Sequence, residues 1–350
     1  MCNSLPIPEP RVVNNQILQK SIKKITAMKL NLHLSMSLIV AAQTTITLTN
    51  KAAGVYRNPE DYLFRYPILI RLCLIDYSKS LNQGQKVAIV TGANSGIGSN
   101  NWIACRNEQK AQEAIEKIKL NKNDKGELKF IQFNADSLRS VGEFASEFGK
   151  LNKKLDLLIN NAGIMMVPYS LTKDGVESQI GTNFLSHYFL TDQLMSYLCN
   201  NAKIINLSSL ASFFVNEFSL EQLTDEEVYS PVENYCQSKL AMTMFTYYLN
   251  SRLQDNDITV YSVNPGMVKT NLYTSNTLTK ATNLAAGAFT TLRCALLPPP
   301  ENHGAETLYY SDELPFYPPT SAIDESHVKE LIGWAKDIIT ARGFSLKSDL

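Results

Sequence analysis

Two side chains with complementary acid-base chemistry lie four residues apart in the segment NYCQSKLAM, which contains Tyr235 and Lys239. On a helix this spacing places both side chains on one face. A phenol with a pKa of about 10 is a poor catalyst at neutral pH, but an adjacent ammonium stabilises the phenolate and lowers that pKa. The pair therefore indicates proton transfer, although the same spacing on its own is more often an ordinary helix with a tyrosine and a lysine on one face.

A glycine-rich turn follows the apolar run KVAIVT and contains Gly92, Gly96 and Gly98. Glycines at such a turn let the backbone approach a pyrophosphate, and the N-terminus of a following helix offers free N–H groups and a positive dipole to it. The spacing is G-x-x-x-G-x-G rather than the commoner G-x-G-x-x-G. By itself the turn is a weak signal for a dinucleotide, because tight turns of this composition are common.

Three further apolar runs end in polar or glycine residues that suit a ligand. They read LLINNAG, INLSSLAS and SVNPGMVKTNL. Ligands of parallel sheets bind outside the carboxyl ends of the strands. These ends are therefore predicted to converge with the glycine turn on one edge of a sheet.

The elements that must position these residues begin at Lys86. Short apolar runs alternate there with amphipathic segments, which is the pattern of a parallel sheet covered by helices. The predicted strands are KVAIVT, LKFIQF, LDLLIN, AKIINL and ITVYSV. The predicted helices are NEQKAQEAIEKIKL, SLRSVGEFASEFGKL, GTNFLSHYFLTDQLMSYL, NYCQSKLAMTMFTYYLNSRL and ESHVKELIGWAKDII. The sequence thus predicts an α/β fold with a single doubly wound parallel sheet over residues 85–345.

The composition of the 350 residues narrows the range of partners. Lys plus Arg and Asp plus Glu both number 33, so the sequence has no basic footprint for nucleic acid. The six cysteines are scattered without a CxxC pair, which argues against a disulfide framework and for a reducing intracellular compartment. The four histidines show no metal-ligand spacing, and no metal site is predicted.

Residues 1–84 are predicted to form a separate N-terminal extension with two apolar stretches. In the first, lysines precede the moderately apolar segment MKLNLHLSMSLIVAAQ, which is the order expected of a signal anchor. Polar residues such as His33 and Gln43 interrupt it, so a disordered leader is the alternative. The second stretch, YPILIRLCLI, suits packing on the main domain or contact with a membrane surface.

Taken in order, these motifs resemble the short-chain dehydrogenase/reductase family, in its retinol-dehydrogenase-like branch. The resemblance covers residues 86–339 and rests on TGANSGIG, NNAG, Asn183, Ser209, the Tyr235 and Lys239 pair, Pro265-Gly266, ACRN, LTKDGVE and SKLAM. It implies a Rossmann-like fold and an oxidoreductase that interconverts an alcohol and a carbonyl on a lipophilic, retinoid, steroid or polyprenol-like substrate. It also implies NADP as the cofactor with NAD as the alternative, a homodimer, and a location at the endoplasmic reticulum membrane, a lipid droplet or in the cytosol.

The resemblance also implies roles for individual residues. Tyr235 would be the general acid or base, Lys239 would lower its pKa and hold the nicotinamide ribose, and Ser209 would bind the carbonyl oxygen. Asn183 would hold a water of the proton relay, and Arg106 would pair with the 2′-phosphate of NADP. Taken alone, Ser209 is more typical of a capping serine and Asn183 of a solvated helix residue. The expected cofactor-binding residues are Gly92, Ser95, Gly96, Ile97, Gly98, Arg106, Asn134, Asn161, Ala162, Gly163, Tyr235, Lys239, Pro265, Gly266, Val268 and Thr270.

Two places depart from the family pattern. Only residues 99–103 separate the glycine turn from ACRN, where relatives have a full helix and a second strand. A crossover between parallel strands needs at least about 10–12 residues, so the first βαβ crossover is predicted to be truncated and cofactor binding to be weak. The alternative function is an inactive or cofactor-poor relative that acts as a binding protein.

The second departure lies near the C-terminal end of the sheet. Pro315, Pro318 and Pro319 argue there against a last regular strand.

Overall fold

The computed structural model of the chain describes residues 86–92, 102–119, 128–253, 256–266, 284–296, 308–311 and 314–348. The predicted N-terminal extension lies outside these residues, as do six of the predicted cofactor-binding residues. Those six are Ser95, Gly96, Ile97, Gly98, Val268 and Thr270.

Eight strands of the described residues form one sheet. They are β1 (Ala88–Thr91), β2 (Trp102–Cys105), β3 (Lys129–Gln132), β4 (Leu155–Asn160), β5 (Leu198–Leu207), β6 (Thr259–Asn264), β7 (Tyr309–Ser311) and β8 (Leu314–Phe316). The spatial order is β3-β2-β1-β4-β5-β6-β7-β8, and all neighbours are parallel except β7 and β8. The order reverses between β1 and β4, which is the point where ligands of such sheets bind.

The described helices cover both faces of this sheet. They are α1 (Glu108–Lys119), α2 (Leu138–Lys150), α3 (Ser178–Ile180 and Ser186–Leu194, joined by the π-helical turn Gly181–Leu185), α4 (Leu220–Thr224), α5 (Pro231–Leu253), α6 (Leu284–Leu296) and α7 (Glu325–Ala341). Short 3-10 helices lie at Met195–Tyr197, Leu210–Phe214 and Thr320–Ala322. The five predicted helices correspond to α1, α2, α3, α5 and α7, whereas α4 and α6 are not among the predictions.

The strands are apolar runs because both faces of the sheet are buried. Successive side chains of a strand point to opposite faces. Ile89 and Leu158 pack on one face with residues of α2, α3, α5 and α7. Val90 and Ile159 pack on the other face with residues of α1 and α6. Continuous apolar runs are what a doubly covered sheet requires, and the predicted doubly wound, Rossmann-like sheet is confirmed.

The second strand, β2, is present, although its residues are not among the predicted strands. Residues Trp102, Ile103 and Ala104 of β2 pair in parallel with Ile89, Val90 and Thr91 of β1, and β2 also pairs with β3. Four residues before Arg106 are enough for a strand, because neighbours on both sides satisfy its backbone groups. The connection between Gly92 and Trp102, nine residues long, lies outside the described residues.

A last edge strand also forms, although its prolines argued against one. Tyr310 of β7 pairs with Pro315 of β8 in an antiparallel register. Proline has no N–H for a sheet ladder and is therefore confined to edge strands. β8 is the last strand of the sheet, so Pro315 meets this requirement, and the prediction of no regular strand is wrong.

In the part of the chain that the structure describes, no helix is long and apolar enough to cross a membrane. The same residues contain no group of three or more His, Cys, Asp and Glu side chains that could hold a metal ion. The predicted membrane association concerns residues outside the described ranges. It stays a prediction, as does the cellular location.

The C-terminal residues of the described chain are hydrogen-bonded to α3. Asp192 is buried, and its carboxylate accepts hydrogen bonds from the N–H groups of Lys347 and Ser348, each at 2.9 Å, and from the Ser348 hydroxyl. Every residue of Ser186–Leu194 is buried within the single chain. The homodimer implied by the resemblance stays a prediction, and its interface would have to use other residues than these.

We expect Asp192→Ala to release this tail and to lower the free energy of unfolding by about 3 kcal/mol, because hydrogen bonds to a charged group contribute more than neutral ones. Urea unfolding measures the loss, and amide hydrogen exchange at Lys347 and Ser348 shows whether the tail has separated from α3. Asp337→Ala, on the exposed side of α7, serves as the control and should change neither. Unchanged exchange at both amides in the Asp192 variant would contradict the prediction.

Candidate active site

The carboxyl ends of four neighbouring strands carry several of the predicted site residues. β1 is followed by Gly92, β4 by residues 161–163, β5 by residues 208–209 and β6 by residues 265–266. These strands are adjacent in the sheet in the order β1, β4, β5 and β6. The predicted convergence of the strand ends on one edge is therefore observed for the described residues.

Gly92 lies where the chain leaves β1 against the end of β4. Its φ angle is 70°, a left-handed conformation that favours glycine. A Cβ atom added to Gly92 would lie 2.9 Å from the Cα of Ala162, so no side chain fits there. The Gly92 N–H donates to the Ala104 carbonyl at 2.7 Å, so the end of β2 also fixes this turn.

The hydroxyl of Thr91 connects the ends of β1 and β4. Its Oγ1 accepts hydrogen bonds from the backbone N–H groups of Asn161 and Ala162, both at 2.9 Å. The side-chain amide of Asn161 donates to the Thr91 carbonyl at 2.7 Å. These three bonds hold the NNAG segment against the residue that precedes the glycine turn.

Tyr235 and Lys239 lie one turn apart on α5, as predicted, and each is 7% exposed. Lys239 Nζ donates to the Leu207 carbonyl at 2.9 Å and lies 5.8 Å from the centroid of the Tyr235 ring. Burial lowers the pKa of Lys239 to about 8, because desolvation disfavours the charged form. At pH 7 the lysine therefore still carries its charge beside the tyrosine.

The two serines after β5 have different surroundings. Ser208 is buried, and its Oγ donates to the Lys239 carbonyl at 2.8 Å and lies 2.8 Å from Thr243 Oγ1. Ser209 is half-buried and caps the 3-10 helix Leu210–Phe214, with its Oγ accepting the Ala211 N–H at 3.2 Å. The cap uses an acceptor site of Ser209, so the hydroxyl can still donate its proton to a substrate oxygen.

Asn183 lies in the π-helical turn of α3 and is 1% exposed, so its alternative as a solvated helix residue is wrong. Its Oδ1 accepts the Ile164 N–H at 2.8 Å, and its Nδ2 donates to the Ile164 carbonyl at 3.0 Å and to Ser238 Oγ at 2.9 Å. A Cβ atom on Gly163 would lie 3.0 Å from Asn183 Oδ1 and 3.7 Å from Lys239 Nζ. Asn183 thus holds the segment after β4 beside Lys239.

The residues predicted to contact the adenosine half of a cofactor follow β2 and β3. The side chain of Arg106 is exposed. The backbone N–H of Asn134 donates to Ser140 Oγ at 3.1 Å, and its Oδ1 accepts the Asp136 N–H at 3.2 Å. Asn134 therefore shapes the turn that leads into α2.

The turn after β6 is held by Asn264. The Gly266 N–H donates to Asn264 Oδ1 at 3.2 Å, and Asn264 Nδ2 donates to Ser311 Oγ at 3.0 Å. Gly266 has a φ angle of 74°, which favours glycine at this position. The predicted Pro265-Gly266 turn is thus tied to both β6 and β7.

One site residue has no part in the sequence-based predictions, His187 on α3. It is fully buried, with Nδ1 at 3.0 Å from the Asn183 carbonyl oxygen and Nε2 at 3.0 Å from Thr91 Oγ1. Burial, aided by the charge of Lys239, lowers its pKa to about 4, so the imidazole is neutral at pH 7. Its place four residues after Asn183 on the same predicted helix is the signal that could have identified it.

We expect the wild-type chain to lose stability more steeply than His187→Leu as the pH falls below 6.5. The native histidine has a pKa of about 4, against 6.5 in an exposed histidine, so between these values only the unfolded chain takes up the proton. Stability that is present above pH 6.5 is therefore lost towards pH 4, by at most about 3 kcal/mol. Urea titrations of both proteins at pH 7 and pH 4.5 measure the difference. Parallel pH dependences would show that the buried imidazole does not contribute.

Comparison with known proteins identifies the family of the chain. The family model described as short chain dehydrogenase matches residues 86–281. Human retinol dehydrogenase 12 is 34% identical over 252 residues, which are 65% of this chain and 78% of that protein. Human polyprenol dehydrogenase is 35% identical over 261 residues, with the same two shares covered. The crystal structure of an uncharacterized protein from Mycobacterium Paratuberculosis superposes with a TM-score of 0.60 at 30% identity, covering 73% of this chain and 94% of that one. The chain belongs to the short-chain dehydrogenase family, in its retinol-dehydrogenase-like branch.

Proposed function

We propose that the chain is an NAD(P)-dependent oxidoreductase that interconverts an alcohol and a carbonyl on a lipophilic substrate. The observation that carries the proposal is the buried pair of Tyr235 and Lys239 at the carboxyl edge of the sheet, next to the ends of β4 and β5. Family membership supports the reaction class. The two human relatives, a retinol and a polyprenol dehydrogenase, support a lipophilic alcohol.

Tyr235 handles the proton in the proposed reaction. In alcohol oxidation its oxygen accepts the hydroxyl proton, and in carbonyl reduction it donates a proton to the carbonyl oxygen. The Lys239 ammonium, held by the Leu207 carbonyl, stabilises negative charge on the tyrosine oxygen. Ser209 donates a hydrogen bond to the substrate oxygen and so orients it for this transfer.

The strand ends fit the nicotinamide half of a dinucleotide. Gly92 and Gly163 keep the edge of the sheet free of side chains where the backbone segments meet most closely, and Lys239 offers an ammonium to ribose hydroxyls. The other proposed contacts on this edge are Asn161, Ala162, Pro265 and Gly266. When bound, the cofactor supplies the carbon that gives or takes the hydride.

We propose NADP as the preferred cofactor and NAD as the alternative. Arg106 follows β2 with an exposed side chain. A planar guanidinium suits a two-pronged contact with a phosphate, which NADP carries on its adenosine ribose and NAD does not. The preference therefore depends on this one side chain among the described residues.

A lipophilic substrate is supported by an apolar wall around Tyr235. This wall consists of Met165, Met166, Phe214, Val215 and Val232, all of them half-buried and packed against a small cluster that contains Tyr235. A half-buried apolar side chain gains about 25 cal/mol for each Å² that a ligand covers. The wall therefore favours a hydrocarbon chain or ring beside the reacting oxygen.

The proposed function is tested with the full chain, millimolar NADP or NAD, and a panel of alcohols in detergent micelles. The panel contains a retinol, a long polyprenol, a steroid alcohol and, as a hydrophilic comparison, glycerol. We expect nicotinamide reduction with at least one lipophilic alcohol and none with glycerol. Absence of turnover with every lipophilic alcohol, in both directions of the reaction, would refute the proposal.

We expect Phe214→Ala to raise the KM of the long lipophilic substrate about tenfold with little change in kcat. Covering part of a phenylalanine contributes about 1.4 kcal/mol to binding, which is a factor of ten. Tyr317→Ala removes an aromatic ring that is 53% exposed and lies outside the apolar wall, so it serves as the control with an unchanged KM. Equal KM values for both variants would contradict the assignment of the wall.

The second candidate function is a cofactor-poor binding protein. The observation that favours it is the length of the link between two strands that are parallel neighbours, because nine residues separate Gly92 from Trp102. A helical crossover takes about 10–12 residues or more. The affinity for the cofactor distinguishes the two candidates.

A further inference from the structure

A buried histidine links the two halves of the proposed active site. His187 lies on α3, while Thr91 lies 96 positions earlier at the end of β1, directly before Gly92. The ring of His187 is stacked on Phe133, with the centroids 6.3 Å apart and the planes at 26°. Its plane is therefore set by packing, and both ring nitrogens have a polar partner at 3.0 Å.

The directions of these hydrogen bonds follow from the chemistry of the partners. The Asn183 carbonyl oxygen can only accept, so Nδ1 carries the proton and donates to it. The neutral ring then has no proton on Nε2, which accepts from the Thr91 hydroxyl at 3.0 Å. The Ile159 carbonyl, the other acceptor near this hydroxyl, is farther away at 3.4 Å. The lone pairs of Thr91 Oγ1 accept the N–H groups of Asn161 and Ala162. One directed chain of bonds thus runs from the NNAG segment through Thr91 and His187 to Asn183.

We propose that His187 is a positioning residue for the reaction, which couples the strand ends at the nicotinamide edge to the π-helical turn that carries Asn183. This inference rests on the proposed function. His187 touches neither substrate nor cofactor. It acts through Asn183, whose side chain holds Ile164 next to Gly163 and Lys239.

The residue that His187 holds, Asn183, lies in the π-helical turn of α3. Such turns are frequent at functional sites. The imidazole holds the backbone of Asn183, whose side chain in turn holds Ile164 by two hydrogen bonds.

His187→Leu is the main test, because leucine keeps an apolar side chain in the pocket and removes both bonds. We expect its kcat to fall about tenfold while the KM of the substrate stays within twofold. Thr91→Val should give a similar fall, and the double variant should be no slower than the slower single variant, since both changes break the same chain of bonds. Leu190→Ala, which makes a cavity on the same helix, is the control for lost stability and should keep kcat within twofold.

A second measurement does not depend on turnover. Hydrogen exchange of the Asn161 and Ala162 amides should become about tenfold faster in His187→Leu and stay unchanged in Leu190→Ala, because the acceptor for both amides is the hydroxyl that His187 orients. If kcat or this exchange is unchanged in His187→Leu, the positioning role is overturned. If the wild type turns over no substrate, the proposed function fails, and the exchange measurement alone decides whether His187 couples the two segments.

Discussion

We expect Tyr235→Phe to lower kcat about a thousandfold while changing the affinity for the cofactor less than threefold. The substitution removes one oxygen and keeps the ring that packs against the apolar wall. Positioned proton transfer contributes about 10²- to 10⁴-fold to an enzymatic rate, and the geometry offers Lys239 beside this phenol to stabilise the charge that develops. Steady-state kinetics with a lipophilic alcohol measure the rate, and calorimetric titration with NADPH measures the affinity.

Tyr247→Phe is the matched control for this experiment. Tyr247 lies on the same helix, α5, and is half-buried, but it is about three turns away from Tyr235 along the helix. The control should retain the wild-type kcat. A Tyr235→Phe variant that keeps more than a tenth of the wild-type rate would show that another group transfers the proton. Loss of thermal stability by more than a few degrees would instead indicate that the hydroxyl is structural, and the control separates the two cases.

We expect the wild-type chain to bind NADPH weakly, and a helix-forming insertion between Ser99 and Asn100 to raise its affinity about a hundredfold. The N-terminus of a helix offers a pyrophosphate several N–H groups and a positive dipole. Two hydrogen bonds to a charged group contribute about 3 kcal/mol together, which corresponds to roughly two powers of ten in the dissociation constant. Ten residues of amphipathic, alanine-rich sequence bring the link to the length of a helical crossover.

The control is an insertion of ten glycine and serine residues at the same place. It lengthens the link equally but has little tendency to form a helix, and it should leave the affinity near that of the wild type. Micromolar binding of NADPH by the unmodified chain would overturn the prediction, because the short link would then cost nothing. Binding by both insertions would show that length, and not the helix, limits the affinity.

The regular elements were largely predictable, because each is encoded by a local pattern. The buried strands β4, β5 and β6 are continuous apolar runs, and helix α2 repeats its apolar residues at the helical period with a capping serine, Ser137, at its start. The Tyr235 and Lys239 pair also follows from local spacing on α5. Burial on both faces of a sheet leaves a signal that a single sequence shows.

The strands that are not among the predicted ones, β2, β7 and β8, are short and are stabilised by their neighbours in the sheet. β2 has only four residues, and its backbone groups pair with β1 on one side and β3 on the other. β8 has three residues and contains Pro315, which the edge of the sheet accepts. No local pattern reports such pairings, because the stability of a short strand comes from its neighbours.

By itself the sequence determined the order of the chemistry-bearing residues and the element on which each one lies, since strand and helix periods place them at strand ends and on one face of α5. The tertiary structure decided which partner each polar atom has. In the folded chain the hydroxyl of Ser208 is hydrogen-bonded to Lys239 and Thr243, whereas Ser209 is half-buried. It also brought His187 within 3.0 Å of Thr91. The reason is that a hydrogen bond depends on positions within a few tenths of an ångström, and only the packing of α3 and α5 against the sheet fixes distances on that scale.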